Sequence, residues 1–427
     1  MKESDYMKKI KSKENKVLFI NTIMLYIMMA STFIFPLLTF PYLTRTLGTE
    51  NYGIVVLANA VMQYFQLFID YGFILSGTAE ISINRNNRKK LELITSSIVL
   101  GKLFLSIVGL VIIIILSFAL DVFKGKELFI ILSYIPLMLQ SFIPDYLFRG
   151  IEKMSIITYR TIVSKLLYTL MIFLLVKTPN SYFYIPLCLF LSNLLIVIWS
   201  WYYIVKKLNI KIILVEYKEV LKRLKESSTF FLSRIATTIY SASNIFVLGL
   251  YGYSDKEIGI YGAANTLINY AKAIFSPIAD SLYPYMIKNK NHKMVNKILF
   301  ILMPMIILGC CIAFYFSDFI ITIMCGKDYL ASVPLFRRML PMVILTLPGY
   351  LYGFPMLGSI KRNDKANLSV IIGAGFHFVG FILLFITKTL TFNNIIYLTT
   401  ITESLILIIR LYCFNKYKKI EKCKEDL

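Results

Sequence analysis

The sequence predicts an all-α integral membrane protein. Its expected architecture is twelve transmembrane helices in two parallel six-helix bundles, related by a pseudo-two-fold axis along the membrane normal and enclosing a central cavity. Three observations predict it. Of 427 residues, 57% are hydrophobic and only 16% are charged, whereas a soluble domain carries about a quarter charged residues. Apolar runs of about 20 residues, the length a bilayer core demands, follow one another with short joins. The formal net charge is +22, from 46 Lys and Arg against 24 Asp and Glu, and the cations fall on alternate joins. A soluble globular enzyme is excluded by the first two.

The runs cover 17–40, 54–80, 94–120, 128–148, 158–178, 183–204, 229–252, 260–287, 298–317, 334–360, 368–387 and 395–414. The first follows a basic start, as a signal peptide does. It is too long for one and has no A-x-A-like site after it, so a retained signal anchor is expected. The longest join, 205–228, divides the chain into a bundle at 1–204, a cytoplasmic basic and amphipathic linker, and a bundle at 229–427. Within the linker, Ile213, Tyr217, Val220, Leu221 and Leu224 share a helical face, while Lys211, Lys218, Lys222 and Lys225 lie largely elsewhere. That pattern reads as an interfacial helix or as a plain basic linker. Counted over the N-terminal segment, every second join and the tail, 31 of the 46 basic residues lie on one side; seven lie on the other and eight inside the runs. This positive-inside bias places both termini in the cytoplasm. It also accounts for most of the net charge as topology, so a nucleic-acid partner is not expected.

The two halves repeat. Gly53-Ile-Val-Val-Leu-Ala-Asn-Ala-Val-Met-Gln-Tyr64 opens the second run, and Gly259-Ile-Tyr-Gly-Ala-Ala-Asn-Thr-Leu-Ile-Asn-Tyr270 opens the eighth. At an offset of 206 they share Gly, Ile, Ala, Asn and Tyr. Six runs per half is an even number, so the halves are parallel repeats, an architecture of transporters. Asn265, Asn269, Lys272, Ser276 and Asp280 fall on one stripe of run eight. Asn59, Gln63, Gln66 and Asp70 fall on the matching stripe of run two. Such stripes avoid lipid, since each mid-bilayer charge costs about 2.5–3.5 kcal/mol. They line a wet cavity or hold helices together by hydrogen bonds.

Eight cations lie within runs: Lys102, Arg160, Lys165, Arg234, Lys272, Arg337, Arg338 and Arg410. Arg160, Arg337, Arg338 and Arg410 are near run ends and are expected to snorkel. Lys272, near mid-run, and Arg234 are the foremost candidates for contact with an anionic substrate, followed by Lys165 and Lys102. Lys272 could instead pair with Asp70 or Asp280. Asp70, Asp280 and Asp145 are candidates for H+ or Na+ coupling. Pro277, Pro284, Pro341, Pro348 and Pro355 should kink runs eight and ten. The six cysteines make no CxxC and no disulfide framework. Only His292 and His377 are histidines, no Walker loop or D-x-D motif occurs, and no outward loop could carry a glycosyltransferase site. No cofactor and no bound metal are expected.

Leu38-Thr-Phe-Pro-Tyr-Leu-Thr-Arg-Thr-Leu-Gly-Thr-Glu-Asn-Tyr-Gly53, Tyr64-Phe-Gln-Leu-Phe-Ile-Asp-Tyr-Gly-Phe73 with Glu80-Ile81, and Asp145-Tyr-Leu-Phe-Arg-Gly-Ile-Glu-Lys-Met154 resemble a Wzx-type polysaccharide repeat-unit flippase of the MATE/MOP superfamily. The resemblance implies a transporter, not an enzyme, in the bacterial cytoplasmic (inner) membrane. It would move undecaprenyl-diphosphate-linked oligosaccharides by alternating access, for O-antigen or capsule synthesis. It implies a cationic lumen, which Lys272 and Arg234 suit. The positions matching its motifs are Arg45, Asp70, Asp145, Arg149 and Glu152. Membrane lipids, a polysaccharide polymerase and a chain-length regulator are the implied partners, with the protein acting as a monomer. The alternatives are a MATE-like ion-coupled exporter of small molecules, which an anionic lumen would favour, and a lipid II flippase.

Overall fold

Lipid offers no partner for a bare backbone N–H or C=O, so segments crossing a bilayer satisfy themselves as helices. The computed structural model obeys this: among the described residues the chain is helical, with no strand. The backbone is described for residues 2–425. Side chains are described except at 2–22, 25, 229, 230, 232, 233, 236–241 and 419–425. The basic N-terminal cluster at 2–16 and tail residues Lys419, Lys422 and Lys424 therefore lie outside the described side chains.

The helices are α1 (Lys2–Asp70), α2 (Phe73–Ile83), α3 (Arg88–Ala119), α4 (Glu127–Ser141), α5 (Asp145–Gly150), α6 (Met154–Leu175), α7 (Tyr184–Tyr202), α8 (Tyr217–Leu250), α9 (Asp255–Ala273), α10 (Ser276–Asn289), α11 (His292–Tyr315), α12 (Ser317–Met324), α13 (Val333–Tyr352), α14 (Phe354–Ser359), α15 (Asn363–Ile386) and α16 (Phe392–Glu425). Nine stretches among the described residues are long and apolar enough to cross a membrane. The protein is thus a multi-pass membrane protein. Phe104, Phe118, Phe300 and Ile386 stand more than half exposed on its outside, a surface that water would not tolerate.

Several expected runs are broken helices. Gly48, at φ 71°, divides α1 into two arms; that left-handed backbone is cheap only for glycine. Run two breaks at Tyr71 and Gly72, both with positive φ, before α2. Run eight breaks between α9 and α10, with Pro277 in the first turn of α10, and run ten breaks at Gly353 ahead of Pro355. The prolines mark both breaks, as expected. The linker differs from its expected form. Residues 208–216 are not helical, and α8 begins at Tyr217, so Ile213 belongs to no common helical face. Its backbone N–H instead donates to Ser96 at 2.9 Å. Arg223 is buried against Glu80, Glu219 and Glu226. Tyr217 and Leu221 remain exposed. Glu152, at φ 60°, pairs with Arg85 at 2.8 Å; that guanidinium holds its carboxyl below the usual range.

The second arm of α1 lies along α9, and their buried side chains, among them Leu57, Tyr261 and Ala264, form the centre of the largest apolar core. The closest approach is at the paired glycines. A Cβ at Gly53 would overlap the carbonyl oxygen of Asp255, and a Cβ at Gly259 would overlap that of Thr49. The contact is reciprocal: Thr49 and Asp255 are separated by the same 206 residues as Gly53 and Gly259. Overpacking costs about 1–3 kcal/mol. Gly53→Ala and Gly259→Ala should each lower thermal stability in detergent by at least that much. The double variant should lose less than the sum, because one displacement of the two helices relieves both clashes. Additive losses would contradict the shared contact.

Candidate functional site

The run-two stripe and the first part of the run-eight stripe meet in one place. Asn59, Gln63, Gln66 and Asp70 from α1 and Asn265 and Asn269 from α9 line a central cavity of about 650 Å³. The first arm of α1 and α2 to α8 contribute the rest of its described wall. α6 contributes a stripe, Arg160, Thr161, Ser164, Lys165 and Tyr168, of which sequence reasoning named only Arg160 and Lys165. The four-residue recurrence at 160, 164 and 168, shared by 161 and 165, was the available signal.

The charges on this wall are mostly tied. Asp70 accepts from Lys102 at 3.2 Å and from Gln66 at 2.8 Å, and Lys102 also donates to the Ser141 carbonyl at 2.8 Å. Asp145 pairs with Arg160, which also donates to Ser200 at 3.3 Å. Arg160 is therefore not a snorkelling residue: it is 2% exposed. Position along the helix suggested an escape to the interface, but the neighbouring helix supplies a carboxylate instead. Lys165, by contrast, has no ion pair or hydrogen bond among the described residues. Among the described residues, three cations and two anions thus face the cavity, and the excess charge is on Lys165. Tyr52, Tyr168 and Tyr270 add aromatic surface.

Breaking one side of a buried pair costs about 3–5 kcal/mol, because the remaining charge is stranded. Asp70→Asn should therefore destabilise by that order, while Asp70→Asn with Lys102→Met should recover most of it. Thermal unfolding of the three proteins checks this. A double variant no more stable than Asp70→Asn would show that the pair is not the cause.

Lys272 lies elsewhere. Its partner is Glu403 on α16, not Asp70 or Asp280. The pair stands in a neck of about 210 Å³ whose wall includes Asn265 and Asn269. Beyond it lies a second cavity of about 620 Å³, lined by Lys272, Ser276, Asp280, Tyr283, Tyr350, Glu403 and Arg410. Asn265 and Asn269 line both the central cavity and the neck, and Lys272, Tyr350 and Glu403 line both the neck and the second cavity. Arg410 is 9% exposed and donates to Ser369 at 3.0 Å and to the Gly349 carbonyl at 2.6 Å, so it too does not snorkel. Arg337 is more exposed and pairs with Asp318 at 2.6 Å.

The remaining candidates fall outside these cavities. Arg234, on α8, is half-buried and is not among the described lining residues. Arg45 donates to the Ile323 and Thr322 carbonyls at the end of α12. Arg149 lies in the last turn of α5 with its Nε buried and unbonded. Among the described residues, no cluster of His, Cys, Asp or Glu could hold a metal ion.

Residues 18–290 match a family described as polysaccharide biosynthesis protein. The chain is 27% identical over 363 residues to the "Putative O-antigen transporter" of Escherichia coli (strain K12), covering 83% of this chain and 86% of that protein. Its fold is similar to that of an inward-facing multidrug resistance MATE family transporter of the MOP superfamily, with a TM-score of 0.69 at 13% identity over 93% of this chain and 99% of that one. It is also similar to that of the lipid II flippase MurJ in an inward closed conformation, with a TM-score of 0.67 at 12% identity over 92% and 87%.

Proposed function

The chain belongs to the polysaccharide biosynthesis protein family, and from that premise we propose that it is a flippase for undecaprenyl-diphosphate-linked oligosaccharide repeat units. It works by alternating access in the bacterial inner membrane and serves O-antigen or capsule synthesis. The observation that carries this reading is the central cavity: amide and tyrosine side chains suited to sugar hydroxyls, with one uncompensated ammonium at Lys165 for a diphosphate. A point ammonium in a partly dry cavity is a strong phosphate partner. An exporter of cationic drugs would favour the opposite sign.

The architecture we infer has twelve passes. The 58-residue stretch Tyr26–Ile83 counts twice, because Gly48 divides it. α8 and the α9–α10 pair add two more. Six passes then lie in 1–204 and six in 229–427, joined by 205–228, with both termini cytoplasmic. The reciprocal Gly53 and Gly259 contact supports a pseudo-two-fold axis between the halves. Lys165, Asn59, Gln63, Gln66, Asn265 and Asn269 are the substrate contacts, and Lys272 with Glu403 guards the neck. Asp70, Asp145 and Asp280 remain the acidic groups for H+ or Na+ coupling.

Disrupting the gene tests the function. Lipid-linked repeat units should accumulate with their sugars facing the cytoplasm while surface polysaccharide disappears. Unchanged polysaccharide together with new drug sensitivity would reject it.

A further inference from the structure

The second cavity, of about 620 Å³, lies where two helices break. Lys272 and Ser276 flank the break between α9 and α10, and Gly353 and Phe354 mark the one between α13 and α14. Irregular backbone at membrane depth is tolerated where it lines a cavity, and transporters build substrate sites from such discontinuous helices. Its charges differ from those of the central cavity. Among the described residues two cations and two anions line it. Lys272 pairs with Glu403, and the Arg410 guanidinium is held by Ser369 and the Gly349 carbonyl. Asp280 makes no ion pair or hydrogen bond among the described residues; nor do the Asn367 amide and the Tyr350 hydroxyl on the same wall. The side-chain charge left without a partner is therefore a carboxylate here and an ammonium, Lys165, in the central cavity.

We propose that the second cavity is a subsite for the outer sugars of the repeat unit, and that it takes sugars bearing no carboxylate. The proposal rests on the flippase reading above and adds the class of sugar to it. An ionised carboxylate only accepts hydrogen bonds, so Asp280 takes hydroxyl hydrogens and repels a uronate. The Asn367 amide donates as well as accepts. Tyr283, Tyr350 and Phe354 offer ring faces to the C–H side of a pyranose, and a few placed polar groups among aromatic rings are what a small-ligand site consists of. The neck shares lining residues with both cavities, so a glycan whose diphosphate meets Lys165 extends through it to Asp280. Asp280 then serves the sugars, and ion coupling falls to Asp70 and Asp145.

The test measures binding of three probes to the full chain in nanodiscs. Two are undecaprenyl-diphosphate-linked trisaccharides that differ only in the outermost sugar, glucose or glucuronic acid; bare undecaprenyl diphosphate is the sugar-free probe. The wild type should bind the glucose probe about tenfold more tightly than the glucuronic acid probe, the size of one charged contact. Asp280→Asn should level the two. Gly349 lines the cavity, and a Cβ there meets nothing within 4 Å, so Gly349→Leu fills the space without a backbone clash. It should weaken binding of the glucose probe about tenfold. Neither variant should change binding of bare undecaprenyl diphosphate, which also shows that both are folded. Equal binding of the two trisaccharides to the wild type, or wild-type binding of the glucose probe by Gly349→Leu, overturns the sugar subsite and leaves the flippase reading standing. Loss of all three probes from a variant makes the cavity a structural element, which also overturns the proposal. Failure of all three probes to bind the wild type overturns both.

Discussion

Lys165→Ala should lower translocation of the lipid-linked repeat unit about ten- to a hundredfold while leaving the folded protein as stable as the wild type. A hydrogen bond to a charged group contributes about 1.5–3 kcal/mol, and each 1.4 kcal/mol is tenfold in rate. The second half of the expectation separates a binding role from a structural one. Lys165 holds no carboxylate among the described residues, so its removal strands no charge; it even relieves the cost of burying an ammonium. Lys165→Arg should retain most activity, since the positive charge stays, and Lys165→Glu should abolish it by repelling the diphosphate. Complementation of the disrupted strain at matched protein levels, with thermal unfolding alongside, measures both. Full activity in Lys165→Glu would remove the cationic cavity from the account.

Lys272→Ala should lose both stability and transport. Glu403 is left without its cation in a largely buried place, at a cost of about 3–5 kcal/mol. Lys272→Met with Glu403→Leu removes both charges and should restore stability, because an apolar pair of similar volume replaces a buried ion pair at little cost. Transport should not return, since the neck between the cavities then presents no charge to the passing substrate. Wild-type transport by the double variant would reduce the pair to a structural strut.

How much of this was legible in the sequence depends on distance along the chain. The helical runs follow from composition and period alone, and the breaks at 274–275 and 353 were foreshadowed by Pro277 and Pro355. The stripes of runs two and eight were legible because their members recur every three or four residues; the structure brings the run-two stripe and Asn265 and Asn269 of run eight to one cavity, and Lys272, Ser276 and Asp280 to another. Their meeting point was half legible: Gly53 and Gly259 stood out as a repeat, but that each leaves room for the other's helix needed coordinates. Partners on distant helices were not legible. Glu403 lies 131 residues from Lys272, and no local pattern ranks it above Asp280. Arg160 and Arg410 were misread because nearness to a run end says nothing about which helix face is covered. Lys165 ranked below Arg234 for the same reason: only the packing shows that its neighbours Lys102 and Arg160 are already matched.

Carriage of a lipid-linked oligosaccharide across a bilayer by this chain is tested by translocation in proteoliposomes, with the purified protein and the lipid-linked repeat unit that accumulates in the disrupted strain. The fraction of sugar accessible to an added glycosidase is followed over time. A repeat unit placed on one leaflet should become accessible on the other with wild-type protein and at least tenfold more slowly with Lys165→Ala. Equal rates for wild type, Lys165→Ala and protein-free vesicles would contradict it.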